Sequence, residues 1–198
     1  MKKLVLVSLL ILQGCATAPS TQFYSLESMK ISSTLLQKKV LLSDKKPLIG
    51  ISQIALPSAL ERKQIVTRDE NGALHFAEQH QWAALLKQNM TEVLAKNLAM
   101  QQPECWFKAY PCSLLGMVDY RLVIDVTRLD IVLGKTISLS VDWTMLNEKT
   151  HAVLQHESID LSQPLVDESY ATAVVGLNQL LASLSESILK NKRDNVIE

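Results

Sequence analysis

Apolar and polar residues alternate with a period of two through much of the second half of the chain. Val118, Tyr120, Leu122, Ile124 and Val126 are interleaved with Asp119, Arg121, Val123, Asp125 and Thr127, which predicts a strand with one apolar face. The apolar phase then slips to Leu129, Ile131 and Leu133, and a bulge near Thr127–Arg128 would account for the slip. Gly134-Lys135 predicts a turn, after which Ile137, Leu139, Val141, Trp143 and Met145 mark a second strand. Asn147-Glu148-Lys149-Thr150 predicts another turn, Ala152 to Leu161 a third strand, and Pro164 the close of the meander. Earlier, Leu48 to Leu56 is a β-type run stopped by Pro57. Gln64–Arg68 and Leu74–Phe76 flank Asp69-Glu70-Asn71-Gly72. Asn-Gly between β-prone runs predicts a hairpin, because both residues accept positive φ.

Two stretches change to the helical period. Trp82, Leu85, Leu86, Met90, Val93, Leu94 and Leu98 predict a helix from about Gln79 to Met100, with Pro103 beyond its end. Tyr170, Val174, Leu177, Leu181, Leu184 and Ile188 form the stripe of a carboxy-terminal helix. Strands, helix, antiparallel strands and helix together predict an α+β fold. The economical arrangement is a two-layer sandwich, mainly antiparallel, with two amphipathic helices packed on one sheet face. The other face would carry Asp119, Arg121, Asp125, Ser138, Ser140, Asp142 and Thr144, and Trp82 and Trp143 would be core. The domain would span residues 47–190, followed by a polar tail at 191–198.

The amino terminus has the anatomy of a secretory signal. Lys2 and Lys3 supply positive charge, and Leu4 to Leu12 is a run of mostly apolar residues. That run is too short for a bilayer, which needs about 20 residues. Leu12-Gln13-Gly14-Cys15 resembles the lipobox of bacterial lipoproteins, with a small residue before the bond to be cut and a thiol to be acylated. Residues 1–14 would then be the signal peptide, and Cys15 would carry acyl chains such as palmitate. Each buried methylene contributes about 0.8 kcal/mol, so several chains anchor stably where one would not. In lipoproteins of this kind Asp after the cysteine retains the protein at the inner membrane. Ala16 stands there, so the resemblance implies the outer membrane, with the domain facing the periplasm. Residues 15–46, rich in Ser, Thr, Gln and Lys, read as the lipidated terminus and a tether. Phe23 to Leu26 interrupts it, either as a short docked strand or as a patch near the membrane.

Composition narrows the function classes. Lys plus Arg and Asp plus Glu both number 20, so the 198-residue precursor is balanced. Loss of Lys2 and Lys3 with the signal leaves 18 basic against 20 acidic residues, which argues against a nucleic-acid partner. With Cys15 spent on lipid, Cys105 and Cys112 remain, with six residues between them in a short loop. An oxidising periplasm permits a disulfide between them; two buried thiols or a metal site are the alternatives, the last lacking further ligands nearby. No Gly-x-Ser-x-Gly turn, Gly-x-Gly-x-x-Gly fingerprint or phosphate loop occurs. His75, Glu78 and His80 straddle a strand and a helix start, so they lack the fixed geometry of a His-Glu-x-x-His helix. No catalytic residue, cofactor or metal site is therefore predicted, and the chain reads as a non-enzyme.

Four stretches carry a family resemblance. They are Tyr24-Ser25-Leu26 shortly after the lipobox, Ile49 to Pro57 followed by Leu60 to Arg68, Phe76 to Leu86 leading into Leu94 to Leu98, and Asp119 to Val126. Together these residues resemble the ABC-type transport auxiliary lipoproteins, the PqiC-like group, over most of the mature chain. Cys105 and Cys112 depart from the pattern. The resemblance implies an outer-membrane lipoprotein that supports membrane integrity by working with a periplasmic MCE-domain protein and an inner-membrane transport subunit to move lipid. It also implies a homo-oligomeric ring. A periplasmic lipid carrier, holding acyl chains between helices and sheet, is the alternative reading.

Overall fold

The computed structural model describes residues 20–30, 46–110 and 118–192, with the backbone alone at 191 and 192. Cys15, Cys112 and the tail from 193 lie outside the described residues. Among the described residues, eight strands and two α-helices follow in the order β1 (Gln22–Tyr24), β2 (Leu48–Ile51), β3 (Gln64–Arg68), β4 (Leu74–Trp82), α1 (Leu86–Gln101), β5 (Trp106–Ala109), β6 (Tyr120–Val132), β7 (Thr136–Asn147), β8 (Val153–Pro164) and α2 (Tyr170–Lys192). The fold is α+β.

The strands form two sheets. The larger has the order β5-β2-β6-β7-β8 and the smaller β1-β4-β3. β6, β7 and β8 are the antiparallel meander that the alternation predicts, with the β6 register shifting between Val126 and Arg128 where the apolar phase slips. Gly134 turns β6 into β7 at φ 68, and His151 sits in the next turn at φ 56. β2 departs from the antiparallel expectation, because it pairs parallel to both β5 and β6. Such pairs need crossover connections, and α1 lies in the one that carries the chain from the smaller sheet to β5.

Leu122, Ile124, Val126, Leu139, Val141 and Trp143 all face one side and are buried. The stripe of α2 covers them: Leu177, Leu181, Leu184 and Ile188 are inaccessible to solvent, each burial contributing about 1.5–3 kcal/mol. Gly176 brings that helix close, since a Cβ there would lie 2.9 Å from Ile137 Cγ2. Ser169 caps the helix by accepting from the Thr172 N–H at 3.1 Å, and Asp167 accepts from the Ser169 N–H at 2.8 Å.

The first helix begins later than its periodicity predicts. Residues 79–82 extend β4, where the Trp82 N–H donates to the Lys63 carbonyl at 2.7 Å and the Ala83 N–H to the Tyr24 carbonyl at 2.8 Å. Trp82 is buried as the stripe required, but as a strand residue. A single buried aromatic fits either period, and backbone partners on both sides favoured the ladder.

Candidate functional site

The segment nearest the predicted anchor is docked on the domain. β1 runs parallel to β4, pairing Gln22 with His80 and Tyr24 with Trp82. Phe23 to Leu26, left open between a docked strand and a membrane-side patch, therefore supplies a docked strand. Beyond it, three asparagine side chains hold the backbone. Asn89 accepts from the Leu26 N–H at 2.7 Å, Asn178 from the Glu27 N–H at 3.0 Å and Asn97 from the Met29 N–H at 2.9 Å. Asn89 and Asn97 belong to α1 and Asn178 to α2, so the strand's continuation lies between the helices. Gln101 of α1 also donates to Ser185 of α2 at 2.6 Å. Leu26 is buried there.

An aromatic cluster fixes the other end. The Tyr24 hydroxyl lies 2.8 Å from His80 Nδ1, and the His80 ring stacks on Tyr170 with 4.0 Å between centroids. Burial, and then neighbouring Tyr170, push the Tyr24 phenol above its ordinary pKa, so it keeps its proton. His75 is elsewhere, on the hairpin, 3.1 Å from Asp69. That hydrogen bond, with the Ala73 and Asn71 N–H groups, holds the Asp69 carboxyl below its usual range. His75 and His80 thus serve separate local structures. Among the described residues no group of three His, Cys, Asp or Glu is placed to hold a metal.

The open face of the larger sheet carries the polar residues the alternation assigned to it. Asp125 and Asp142 stand directly opposite each other, Thr144 Oγ1 lies 2.9 Å from His156 Nδ1, and Ser140 donates to Asp160. Arg121 makes a two-pronged pair with Glu148 and stands over the Tyr110 ring. Asp119 accepts from the Leu48 N–H at 2.9 Å, which ties the start of β2 to β6. Asp130 faces this side yet is buried, because Arg68 of β3 donates to it at 2.7 Å and Arg128 also pairs with it. Burial raises its carboxyl pKa, but the two arginines outweigh that and leave it below the usual range.

Cys105 is buried at the entrance to β5, a strand that the alternation did not reveal. No helix among the described residues is long and apolar enough to cross a membrane. The arrangement offers backbone recognition and polar surface. The clamp asparagines escaped the sequence reading, although a signal was present: asparagine competes with helical hydrogen bonding and is unfavourable inside a helix, yet positions 89, 97 and 178 all lie inside helices.

Comparison with known proteins places this fold. Residues 30–189 match the family model of the ABC-type transport auxiliary lipoprotein component. Comparison with curated proteins gives no match. Among solved structures, the chain is similar to an uncharacterized protein at 20% identity and TM-score 0.71, covering 87% of this chain and 99% of that one. It is also similar to XCC0632 from Xanthomonas campestris, described under the family model DUF330, at 14% identity and TM-score 0.61. That match covers 85% of this chain and 92% of the other. At these identities the structures share the fold, and the family model supplies the membership. The chain belongs to the ABC-type transport auxiliary lipoprotein family.

Proposed function

We propose that this member of the ABC-type transport auxiliary lipoprotein family is the lipid-anchored accessory subunit of an MCE-type intermembrane lipid transport system. Acylated Cys15 would hold it on the periplasmic face of the outer membrane, where a ring of copies meets the MCE protein of an inner-membrane transport subunit and supports membrane integrity. The family match across residues 30–189 carries this reading. The signal segment, the lipobox and Ala16 support the anchor and its destination. The twelve-residue β8 is an edge of the larger sheet and presents backbone groups to a second copy. Helix stripes already occupied by core packing favour docking over carriage of lipid within the domain.

The test is the mass and membrane fraction of the purified full-length protein, with crosslinked pull-down from the same cells. Acylated Cys15 in the outer membrane, crosslinked to an MCE protein, is the expected result. Cys15→Ser should release the protein from membranes and weaken the permeability barrier. Membrane retention of that variant would overturn the anchor. An acylated outer-membrane protein that captures no MCE partner would overturn the transport role.

A further inference from the structure

The docked segment begins seven positions after Cys15, and what holds it is a clamp for backbone. At about 3.3 Å per residue at most, Leu26 and Met29 are no more than about 10 Å apart along the strap. Asn89 and Asn97 are eight residues apart on α1, about 12 Å along its axis. Both amides of this helix hold N–H groups of one segment that advances in the direction of the helix. Asn178 meets the intervening Glu27 N–H from α2. Asn89 closes its grip through Nδ2, which donates to the Leu26 carbonyl at 3.4 Å.

The asparagine contacts to Leu26, Glu27 and Met29 read main chain, which every residue type offers, and only Leu26 is buried as a side chain among residues 20–30. Asn97 is fully buried, with its Nδ2 unpartnered in the structure. A buried donor without a partner is destabilising. That cost is tolerated here at a residue whose oxygen holds the strap. β1 pairing, the Tyr24–His80–Tyr170 stack and the asparagines therefore act on one continuous segment, from 22 to 29.

We propose that the groove between α1 and α2 is a strap clamp that shortens the lipid leash to residues 16–21 and holds the domain against the bilayer, with its β1 edge toward the lipid. The proposal rests on acylation at Cys15. If the whole stretch to Lys46 were free, 31 residue steps would let the domain stand up to about 100 Å from its anchor. With the strap docked, seven steps from Cys15 to Gln22 allow about 25 Å at most. The residues between Lys30 and Lys46 then join two points on the same domain and add nothing to its reach. Phe23, 64% exposed on β1, becomes the first large apolar side chain beyond the leash, at a height where aromatic residues favour the membrane interface.

Two insertions test the leash. The acylated full-length protein, with a fluorescent amino acid at Ser158 on the open sheet face, is placed in vesicles of phosphatidylethanolamine and phosphatidylglycerol carrying a headgroup energy acceptor. About twenty glycine and serine residues, a coil spanning roughly 25 Å, are inserted either after Pro19 or after Ser33. The insertion after Pro19 should lower energy transfer, and the same insertion after Ser33 should leave it unchanged. Combining Asn89→Ala with Asn178→Ala should make the second insertion lower transfer too. Equal loss from both insertions in otherwise unaltered protein would overturn the clamp. Failure of the anchor reading is separate: the protein would lack acyl mass and would not float with the vesicles, and the leash would fall with it.

Discussion

Strands β6, β7 and β8 are joined by two turns and hold long antiparallel ladders, each with one register shift, from Tyr120 opposite Asn147 to Val132 opposite Thr136, and from Thr136 opposite Pro164 to Leu146 opposite Val153. The smaller sheet is assembled differently. Its β3–β4 hairpin is local, but β1 joins β4 in parallel through only three residue pairs, Gln22 lying 58 positions before its partner His80. The first region is held by alternate residues that are buried in β6 and β7 and half-buried in β8, and it closes short loops. The second closes a long one, whose entropy rises slowly with length but must still be offset. Side-chain ties fill that role: Asn89, Asn97 and Asn178 on the strap, and the Arg68–Asp130 pair between the sheets. The meander should therefore break as a whole, and the strap should break by itself.

Trp143→Ala is the most severe test. The ring is 1% exposed at the centre of β7, beneath the helices, and its loss should cost about 3–5 kcal/mol. Urea denaturation followed by circular dichroism should show a large fall in midpoint, with strap and sheet unfolding together. A variant that loses only strap protection would show that the meander is not the foundation of the fold.

Asp130→Asn tests the tie between the sheets and has a pH signature. The folded carboxyl sits below its ordinary range because hydrogen bonds and charge from Arg68 and Arg128 outweigh burial. Its stabilisation is therefore complete above the unfolded value, about 3.9, and is lost as pH falls through the lower folded value. At pH 7 the substitution should cost about 1–3 kcal/mol. The gap between variant and parent should then shrink on acidification, as read from urea midpoints at several pH values. A gap that widens in acid would reverse the assigned sign.

The same contrast explains how far the sequence could be read. Alternation from Tyr120 onward revealed three strands, a bulge and two turns, because each residue's burial there is decided by neighbours two positions away. Asn71-Gly72 revealed the hairpin for an equally local reason. Parallel pairing of Leu48–Ile51 with both Trp106–Ala109 and Tyr120–Leu122 has no such signal, since the partners lie far apart in sequence. The same holds for the strap, where Phe23–Leu26 looked strand-like but carried no indication of a partner. The burial of Asp130 has no local signal either, because Arg68, which covers it, comes from a different sheet. The buried side of Trp82 was legible, while its secondary structure was not.

Asn89→Ala should expose the independence of the strap. It removes the acceptor for the Leu26 N–H, the longer bond to the Leu26 carbonyl and a 3.3 Å partner of the Ser25 hydroxyl. At about 1 kcal/mol for a typical hydrogen bond, amide exchange across residues 24–29 should accelerate roughly five-fold or more. Exchange in β6 and β7 should stay as it was. Acceleration spread evenly over the molecule would mean that the strap is part of the global fold, and the distinction between the two regions would collapse.

The smallest effect compares one turn from each region. Gly72 and Gly134 both have positive φ, 87 and 68, which L side chains disfavour by about 1–2 kcal/mol. At Gly72 a new Cβ would meet nothing within 4 Å, so Gly72→Ala carries the backbone term alone. At Gly134 the Cβ would lie 2.8 Å from Glu168 Cγ, so that side chain must rotate away as well. Gly134→Ala should therefore lower the urea midpoint more than Gly72→Ala. Gly72→Asn should recover most of the smaller loss, because asparagine tolerates the left-handed region. If the two alanine variants were equal, Glu168 would move freely, and the meander's tight turn would be no more demanding than the hairpin at the edge of the smaller sheet.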